Sequence, residues 1–178
     1  MMKHNYFGKI IEDEWASFHP EKETLIPYFD KKIRVYLGAE YDEDGEEMTT
    51  PPTPQQLDEF AQTLERFLTD IDKVIIDIQQ SAFDYYQRIY ARYYEKPFEV
   101  IFENSKVQKC KDEELHPPLN IDTKEKHFEY MKGIVEGIRI WDNQTLKIPI
   151  RYDLDEEHGM EVKIENNKVI AVGGIATT

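Results

Sequence analysis

A long central segment of the chain has no glycine or proline, and this restricts how the chain can fold. No glycine occurs between Gly45 and Gly133, and no proline occurs between Pro54 and Pro97. Apolar residues recur there every three or four positions, which is the spacing of one helix face: Leu57, Phe60, Ala61, Leu64, Phe67, Leu68, Ile71, Ile75, Ile78, Ala82, Tyr85, Ile89 and Tyr93. An unbroken helix of about 40 residues is unusual in a small domain, so we expect two helices with a break near residue 70.

Capping signals indicate where these helices begin. In "TTPPTPQQLDEF", Thr53 is predicted to cap the first helix, Pro54 to take its first position and Gln56 to complete a capping box. Three residues near the break are suited to capping the second helix: Thr69, Asp70 and Asp72.

Strand patterns flank the helical segment. "NYFGKIIEDEW" and "KKIRVYLGAEY" precede it, around an irregular stretch with Pro20 and Pro27, and Ile33, Val35 and Leu37 alternate with polar residues. "KPFEVIFE" follows as a further strand, and residues 104–121 are predicted to form a surface connection.

The C-terminal part is predicted to be a short helix followed by a meander. The helix lies in "DTKEKHFEYMKG", capped by Asp122, and the strands are "GIRIW", "TLKIPIRY", "GMEVKIE" and "KVIAVGG". Pro149 predicts a sheet edge or a local irregularity. Residues 1–178 therefore predict a single α+β domain, with a mostly antiparallel sheet and a C-terminal β-meander packed against two central helices.

The charge balance favours some classes of partner over others. The chain has 36 acidic and 22 basic residues, a formal net charge of -14, which disfavours nucleic acid and membrane surfaces and favours basic proteins. Cys110 is the only cysteine, so no intrachain disulfide forms. The N-terminus has no signal-like apolar run and no segment has membrane-spanning length. We expect a complete cytoplasmic protein.

The segment "EYDEDGEEMTTP", residues 40–51, resembles the first half of a calcium loop. Glu40, Asp42, Asp44 and Gly45 fit its first positions, but Pro51 stands where a bidentate glutamate belongs. The pattern favours a solvated acidic loop, or an acidic surface for a basic partner, over a metal site.

The sequence lacks the motifs of other common metal, catalytic and phosphate-binding sites. The five histidines show no zinc spacing, no serine lies in a G-x-S-x-G turn, and no glycine-rich phosphate loop occurs. We therefore predict no metal, no cofactor and no enzymatic activity. The tyrosine-rich stretch "DYYQRIYARYYEK" presents Arg88, Arg92 and Lys96 on one helix face, and we interpret it as a structural helix.

A second acidic cluster lies in "DLDEEHGMEV", between two predicted strands. Its polar residues are Asp153, Asp155, Glu156, Glu157 and His158, followed by Gly159, which can adopt a positive φ. Two interpretations stay open. The cluster is a solvated hairpin turn, or it is a centre for acid–base chemistry or weak metal binding.

The C-terminal segments "GIRIWDN" and "YDLDEEHGMEVKIENNKVIAVGG" resemble a signature of small acidic bacterial proteins of uncharacterised function. Its most distinctive element is the E-H-G of Glu157, His158 and Gly159. Such families are often considered immunity proteins of polymorphic toxin systems. The resemblance implies a non-enzymatic protein that binds and neutralises a toxin domain.

Because many antibacterial toxins are basic, we expect the acidic loops to make the partner contacts. These residues are Asp42, Glu43, Asp44, Glu46, Glu47, Asp153, Asp155, Glu156, Glu157 and His158. Two alternatives remain open: a metal-binding or hydrolase-like protein centred on residues 153–159, and a structural interaction module.

Overall fold

A computed structural model describes residues 2–39, 49–91, 101–103, 106–108, 119–152, 155–175 and 177–178, with 101–103, 106–108 and 155–158 described by their backbone. Its helices are α1 (Pro54–Thr69), α2 (Ile71–Ile89) and α3 (Lys124–Ile134). Its strands are β1 (Met2–His4), β2 (Gly8–Glu12), β3 (Phe18–Pro20), β4 (Thr24–Leu25), β5 (Lys32–Leu37), β6 (Ile101–Glu103), β7 (Lys106–Gln108), β8 (Gly137–Trp141), β9 (Thr145–Tyr152), β10 (Asp155–Glu165) and β11 (Lys168–Gly173).

The central helices form as the apolar spacing predicts, with their break at Asp70. The capping box of α1 is complete: Thr53 Oγ1 accepts the Gln56 N–H at 3.2 Å, and the Gln56 side chain accepts the Thr53 N–H at 3.0 Å. Asp70 occupies the cap position of α2, but its side chain makes no capping bond. It instead accepts a hydrogen bond from Asn167 at 2.9 Å, which ties the β10–β11 turn to the helix junction.

A six-stranded sheet has the strand order β11-β10-β9-β8-β5-β4. Its β8–β11 portion is the predicted meander, and among the strand pairs that the structure describes only β5 and β8 run parallel. One face packs against the three helices, and residues of alternating position on β5 and β9 supply its core side chains: Ile33, Val35, Leu37, Leu146, Ile148, Ile150 and Tyr152. The predicted α+β architecture is therefore confirmed.

Pro149 explains where one strand ladder ends. The β8–β9 pairing runs from Trp141–Thr145 to Arg139–Lys147 and stops two residues short of Pro149. Because proline has no N–H to donate, the ladder cannot continue through this position. The predicted irregularity is thus found inside the sheet, where β9 lies between β8 and β10.

The N-terminal region differs from its sequence prediction. One strand and an irregular stretch are predicted there, whereas β1, β2 and β3 form a separate antiparallel sheet, and β4 pairs with β5. Pro20 ends the edge strand β3, where its missing N–H disrupts no ladder. A pair of short β-strands, β6 and β7, also lies where an extended strand and a surface connection are predicted.

Two boundaries near the C-terminus also need correction. Thr123, rather than Asp122, caps α3 by accepting the Lys126 N–H at 3.2 Å, while Asp122 forms an ion pair with the Lys126 side chain at 2.7 Å. The strand β10 begins at Asp155, four residues before the predicted strand. Among the described residues, no helix combines the length and apolar character needed to span a bilayer.

Candidate functional site

Most of the acidic residues predicted to contact a partner lie outside the described residues. This holds for Asp42, Glu43, Asp44, Glu46, Glu47 and Asp153. The structure describes only the backbone of Asp155, Glu156, Glu157 and His158, and it places them in β10 rather than in a turn.

The points where the two acidic segments leave the sheet are far apart. The segment that begins at residue 40 comes shortly after Leu37 at the end of β5. Leu37 pairs with Ile140 of β8, and Ile140 pairs with Leu146 of β9, so this segment leaves the sheet near the start of β9. The segment at 153 follows Tyr152 at the other end of β9. Tyr152 lies six positions after Leu146 along the strand, a distance of about 20 Å. The chain therefore leaves the sheet for these two segments at opposite ends.

Gly159, the glycine of the E-H-G motif, has a structural requirement of its own. Its φ is +53°, as the sequence predicts, and a Cβ atom at this position would lie 2.6 Å from the Ile150 carbonyl oxygen. It lies within a register shift between Asp155 and Met160. The Tyr90 hydroxyl donates a 2.6 Å hydrogen bond to the Gly159 carbonyl. The motif glycine thus fixes β10 against the end of α2.

A buried histidine that the sequence did not reveal lies beside this contact. His127 on α3 is fully buried, and its Nε2 lies 2.7 Å from the Tyr152 hydroxyl. Burial lowers the pKa of His127 to about 4. The rings of Phe83, Tyr86 and Tyr152 surround it. A neutral histidine closed off from solvent is a core residue, so we assign it a structural role.

An acidic groove runs along the helix side of the molecule, and we call it the α2–α3 groove. It has a volume of about 480 Å³ and lies between α2, α3 and the loop before β5. Its carboxylates are Asp30, Asp72 and Glu129, and Lys132 bridges Asp30 and Glu129 at 3.0 Å each. These two carboxylates raise the pKa of Lys132, which keeps it charged. The acids outnumber this cation, so the groove is negative.

One exposed aromatic side chain lines the α2–α3 groove, and an exposed aliphatic side chain lies next to it on α2. Ile76 is 56% exposed and shares a helix face with the groove residues Asp72 and Gln79, four residues after the first and three before the second. Tyr28 is 39% exposed, and its hydroxyl donates a 2.6 Å hydrogen bond to Asp72, which raises the pKa of Tyr28. The bond holds the protonated phenol in one orientation at the surface.

The loop that carries Tyr28 has an unusual backbone. Tyr28 has a φ of 73° and Asp30 has a φ of 56°, a conformation that costs about 1 kcal/mol or more for residues other than glycine. The buried Phe29 between them packs against Phe128 of α3. Burial of Phe29 holds the loop in this conformation, and Tyr28 and Asp30 consequently face the groove.

A second depression, which we call the Trp15 cleft, lies on the other side of the sheet. It has a volume of about 630 Å³, and its lining includes both acidic and basic residues: Asp13, Trp15 and Ser17 of a turn, Glu136, the sheet residues Arg139, Pro149, Arg151 and Glu161, and Ile175. Its sheet residues alternate with core residues along β8 and β9, so this face points away from the helices. Trp15 at its rim is 76% exposed.

Basic residues lie side by side on this sheet face. Arg139, Lys147 and Lys163 are register partners on β8, β9 and β10. Adjacent cations would repel each other, but Lys147 pairs with Glu161 at 2.9 Å and Lys163 with Glu165 at 3.3 Å. Carboxylates on the same face of β10 therefore neutralise two of these three cations.

No pattern in the sequence singles out either depression. Tyr28, Ile76 and Trp15 are aromatic or aliphatic residues of kinds that are usually buried, and their partners are distant in sequence. Within the described part of the chain, no three His, Cys, Asp or Glu side chains come together in a way that could hold a metal ion.

Comparison with known families places the chain in one of them. Residues 6–177 match the family described as a domain of unknown function, DUF6985. The match covers nearly the whole chain, so the chain belongs to this family. No curated protein and no solved structure gives a significant match.

Proposed function

We propose that this DUF6985 protein is a non-catalytic, immunity-type protein that binds and neutralises a basic toxin domain in the bacterial cytoplasm. The observation that carries the proposal is the α2–α3 groove, which combines surplus carboxylates with the exposed ring of Tyr28 and has the exposed Ile76 next to it on α2. The resemblance of the Glu157–Gly159 segment to small acidic immunity proteins supports the same function.

The charges of the groove suit a basic partner. Asp30 and Glu129 already share Lys132, so an incoming lysine or arginine would meet a negative field rather than an unpaired cation. The net charge of -14 extends this field over the molecule. Such a field accelerates the encounter with a basic protein and excludes acidic competitors.

The apolar residues supply binding energy that charge attraction alone does not provide. Binding energy at protein interfaces is concentrated in a few central residues, often aromatic, that charged and polar groups surround. Tyr28 lies among Asp30, Asp72 and Glu129 in this way, and Ile76 is exposed one helical turn after Asp72. The hydrogen bond from Tyr28 to Asp72 also limits the conformational entropy that binding would cost. In the proposal, the acidic segments at 42–47 and 153–158 also contact the partner.

The first experiment is a pull-down with the tagged protein, co-expressed with the product of the neighbouring reading frame. We expect a basic protein to be recovered at one-to-one stoichiometry, and toxicity of that protein to be suppressed. If the recovered protein is acidic, or if no partner is recovered under these conditions, the proposal is wrong.

A matched pair of variants then tests the groove. The triple variant Asp30→Asn, Asp72→Asn, Glu129→Gln removes three charges from the α2–α3 groove. The control Glu12→Gln, Glu14→Gln, Glu23→Gln removes three exposed charges from the N-terminal region. We expect association with the partner to slow about tenfold in the first variant and much less in the control. Equal effects would mean that net charge, rather than the groove, determines binding.

A further inference from the structure

A basic surface lies beside the edge strand β4, and we call it the Lys22 surface. It consists of two adjoining depressions, with volumes of about 460 and 630 Å³, whose linings share Glu21 and Lys22. Its charged residues are five cations and two carboxylates: Lys3, Lys9, Lys22, Lys32, Arg34, Glu21 and Glu23. The surface therefore has three excess positive charges, in a protein whose net charge is -14.

Most cations of the Lys22 surface are not neutralised by the chain itself. Lys9 pairs with Glu21, whereas the other three lysines form no ion pair within the part of the chain that the structure describes. Arg34 donates a 3.3 Å hydrogen bond to the Tyr36 hydroxyl, which carries no charge. The surface thus keeps its positive charge available to an acidic partner.

The acidic α2–α3 groove adjoins the Lys22 surface at β4. Residues 21–23, directly before β4, line the basic surface, whereas Tyr28 and Asp30, which follow β4, line the groove. Lys32 of the basic surface comes two positions after Asp30, so their Cα atoms are at most about 7 Å apart. Two surfaces of opposite charge therefore lie side by side on one protomer.

Exposed apolar side chains lie at the boundary between the two surfaces. Leu25 of β4 is 60% exposed and pairs with Lys32, and Tyr28 is 39% exposed. The strand β4 ends the six-stranded sheet, and no strand among the described residues pairs with its outer edge. Apolar residues with charged groups around them are typical of protein interfaces.

We propose that a second copy of this chain docks at this boundary and forms a dimer with twofold symmetry. Because the two surfaces adjoin on each protomer, a twofold rotation about an axis near Leu25 places the α2–α3 groove of each against the Lys22 surface of the other. The three excess positive charges of one surface then face the two excess negative charges of the other, twice in the dimer. Leu25 meets its own counterpart near the axis, where an apolar side chain fits and a charged one does not.

The dimer does not depend on the proposed toxin binding, although it covers the same groove. Since two protomers of net charge -14 repel each other at long range, we expect a weak dimer with a Kd of about 10–100 μM. A tighter basic partner would displace the second copy from the groove. The experiment below uses the protein alone, so its failure leaves the proposed function untouched.

The test is analytical ultracentrifugation of the purified protein at physiological salt, over about a hundredfold range of concentration around this Kd. The mass of the wild type should rise from one chain to two. Lys22→Glu with Lys32→Glu reverses the basic surface, and Asp30→Asn with Glu129→Lys reverses the groove, where asparagine tolerates the positive φ of residue 30. Self-association of each variant should weaken about tenfold or more. An equimolar mixture of the two variants should associate at least as strongly as the wild type, because each altered surface then meets its complement.

The control is Lys73→Glu with Lys168→Glu, which changes the net charge as much as Lys22→Glu with Lys32→Glu but lies outside both surfaces. It should dimerise much more like the wild type. Leu25→Asp should abolish the dimer and leave the unfolding temperature unchanged, because the side chain is exposed.

Other outcomes would overturn the proposal. They are a wild type that stays a single chain throughout the range, a mixture of the two charge variants that does not associate, a control that is impaired equally, and an unimpaired Leu25→Asp. A mass that grows beyond two chains would also overturn it, since it would indicate an open head-to-tail chain rather than a twofold dimer.

Discussion

The Tyr90 hydroxyl donates a hydrogen bond to the carbonyl of Gly159 at 2.6 Å, joining the end of α2 to β10. The contact is buried, and the rings of Tyr86 and Tyr152 lie beside Tyr90. The distinctive E-H-G segment therefore contains at least one residue that the fold itself requires. A sequence pattern of this kind does not by itself mark a binding or catalytic site.

Two glycine substitutions test this requirement. Gly159→Ala should lower the free energy of unfolding by about 1–3 kcal/mol, because φ is +53° and the new Cβ would clash with the Ile150 carbonyl. Gly133→Ala is the control, since Gly133 lies in α3 with nothing within 4 Å of the added Cβ. It should raise the free energy of unfolding by about 0.5–1 kcal/mol. Urea unfolding measures both, and a harmless Gly159→Ala would contradict the assignment.

The buried histidine should make the stability depend on pH. The pKa of His127 is about 4 in the folded protein and about 6.5 when unfolded. Between these values the unfolded chain binds more protons, so stability falls as pH falls from 6.5 towards 4. The full loss from this group is about 3 kcal/mol.

The measurement is urea unfolding at several pH values for the wild type and for His127→Gln. Carboxylates contribute to acid sensitivity in both proteins, so only the difference between them reports on His127. We expect a flatter profile for the variant above pH 4. Parallel profiles would mean that His127 accepts a proton without cost in the folded state.

Removing one partner of the Lys147–Glu161 ion pair should lower the free energy of unfolding. The pair is buried, with its atoms 2.9 Å apart, and Lys147 also donates to the Thr178 carbonyl and lies over the Trp141 ring. Lys147→Met leaves Glu161 buried without its cation, and we expect a loss of about 3 kcal/mol in unfolding free energy. The double variant with Glu161→Met should recover much of this loss. If the double variant is no more stable than Lys147→Met, the two charges are not energetically coupled.

Under the proposed function, the acidic segment at residues 42–47 should speed association with the basic partner. Changing Asp42→Asn, Asp44→Asn and Glu46→Gln removes three charges, so the association rate should fall several-fold at low salt and its salt dependence should weaken. Stopped-flow mixing with the partner measures both effects. Kinetics equal to those of the wild type would place the interface elsewhere.

Short sequence patterns predict the helix cap and the strand that depend on neighbouring residues in the chain. Thr53, Pro54 and Gln56 lie within four residues of each other, and their capping box forms as the sequence indicates. The alternation of Ile33, Val35 and Leu37 likewise reflects one strand with one buried face. Such features depend on neighbours along the chain, which the sequence displays directly.

Features that depend on distant partners could not be predicted in this way. His127 meets Tyr152, and Tyr28 meets Asp72, only after the chain has folded. The exposure of Trp15 depends on where its turn packs, and no periodicity indicates this. Charge density along the sequence indicates the predicted sites, whereas the two depressions arise from residues brought together in space.

The parallel pairing of β5 with β8 has a consequence for synthesis. Arg34 pairs with Gly137, so one edge of β5 has no partner until the ribosome has produced nearly four-fifths of the chain. The nascent protein must keep Ile33, Val35 and Leu37 from aggregating during that interval, and distant pairings of this kind are slow to form. The helices α1 and α2, which emerge in between, belong to the same hydrophobic core as this strand and supply apolar side chains before the meander completes the sheet.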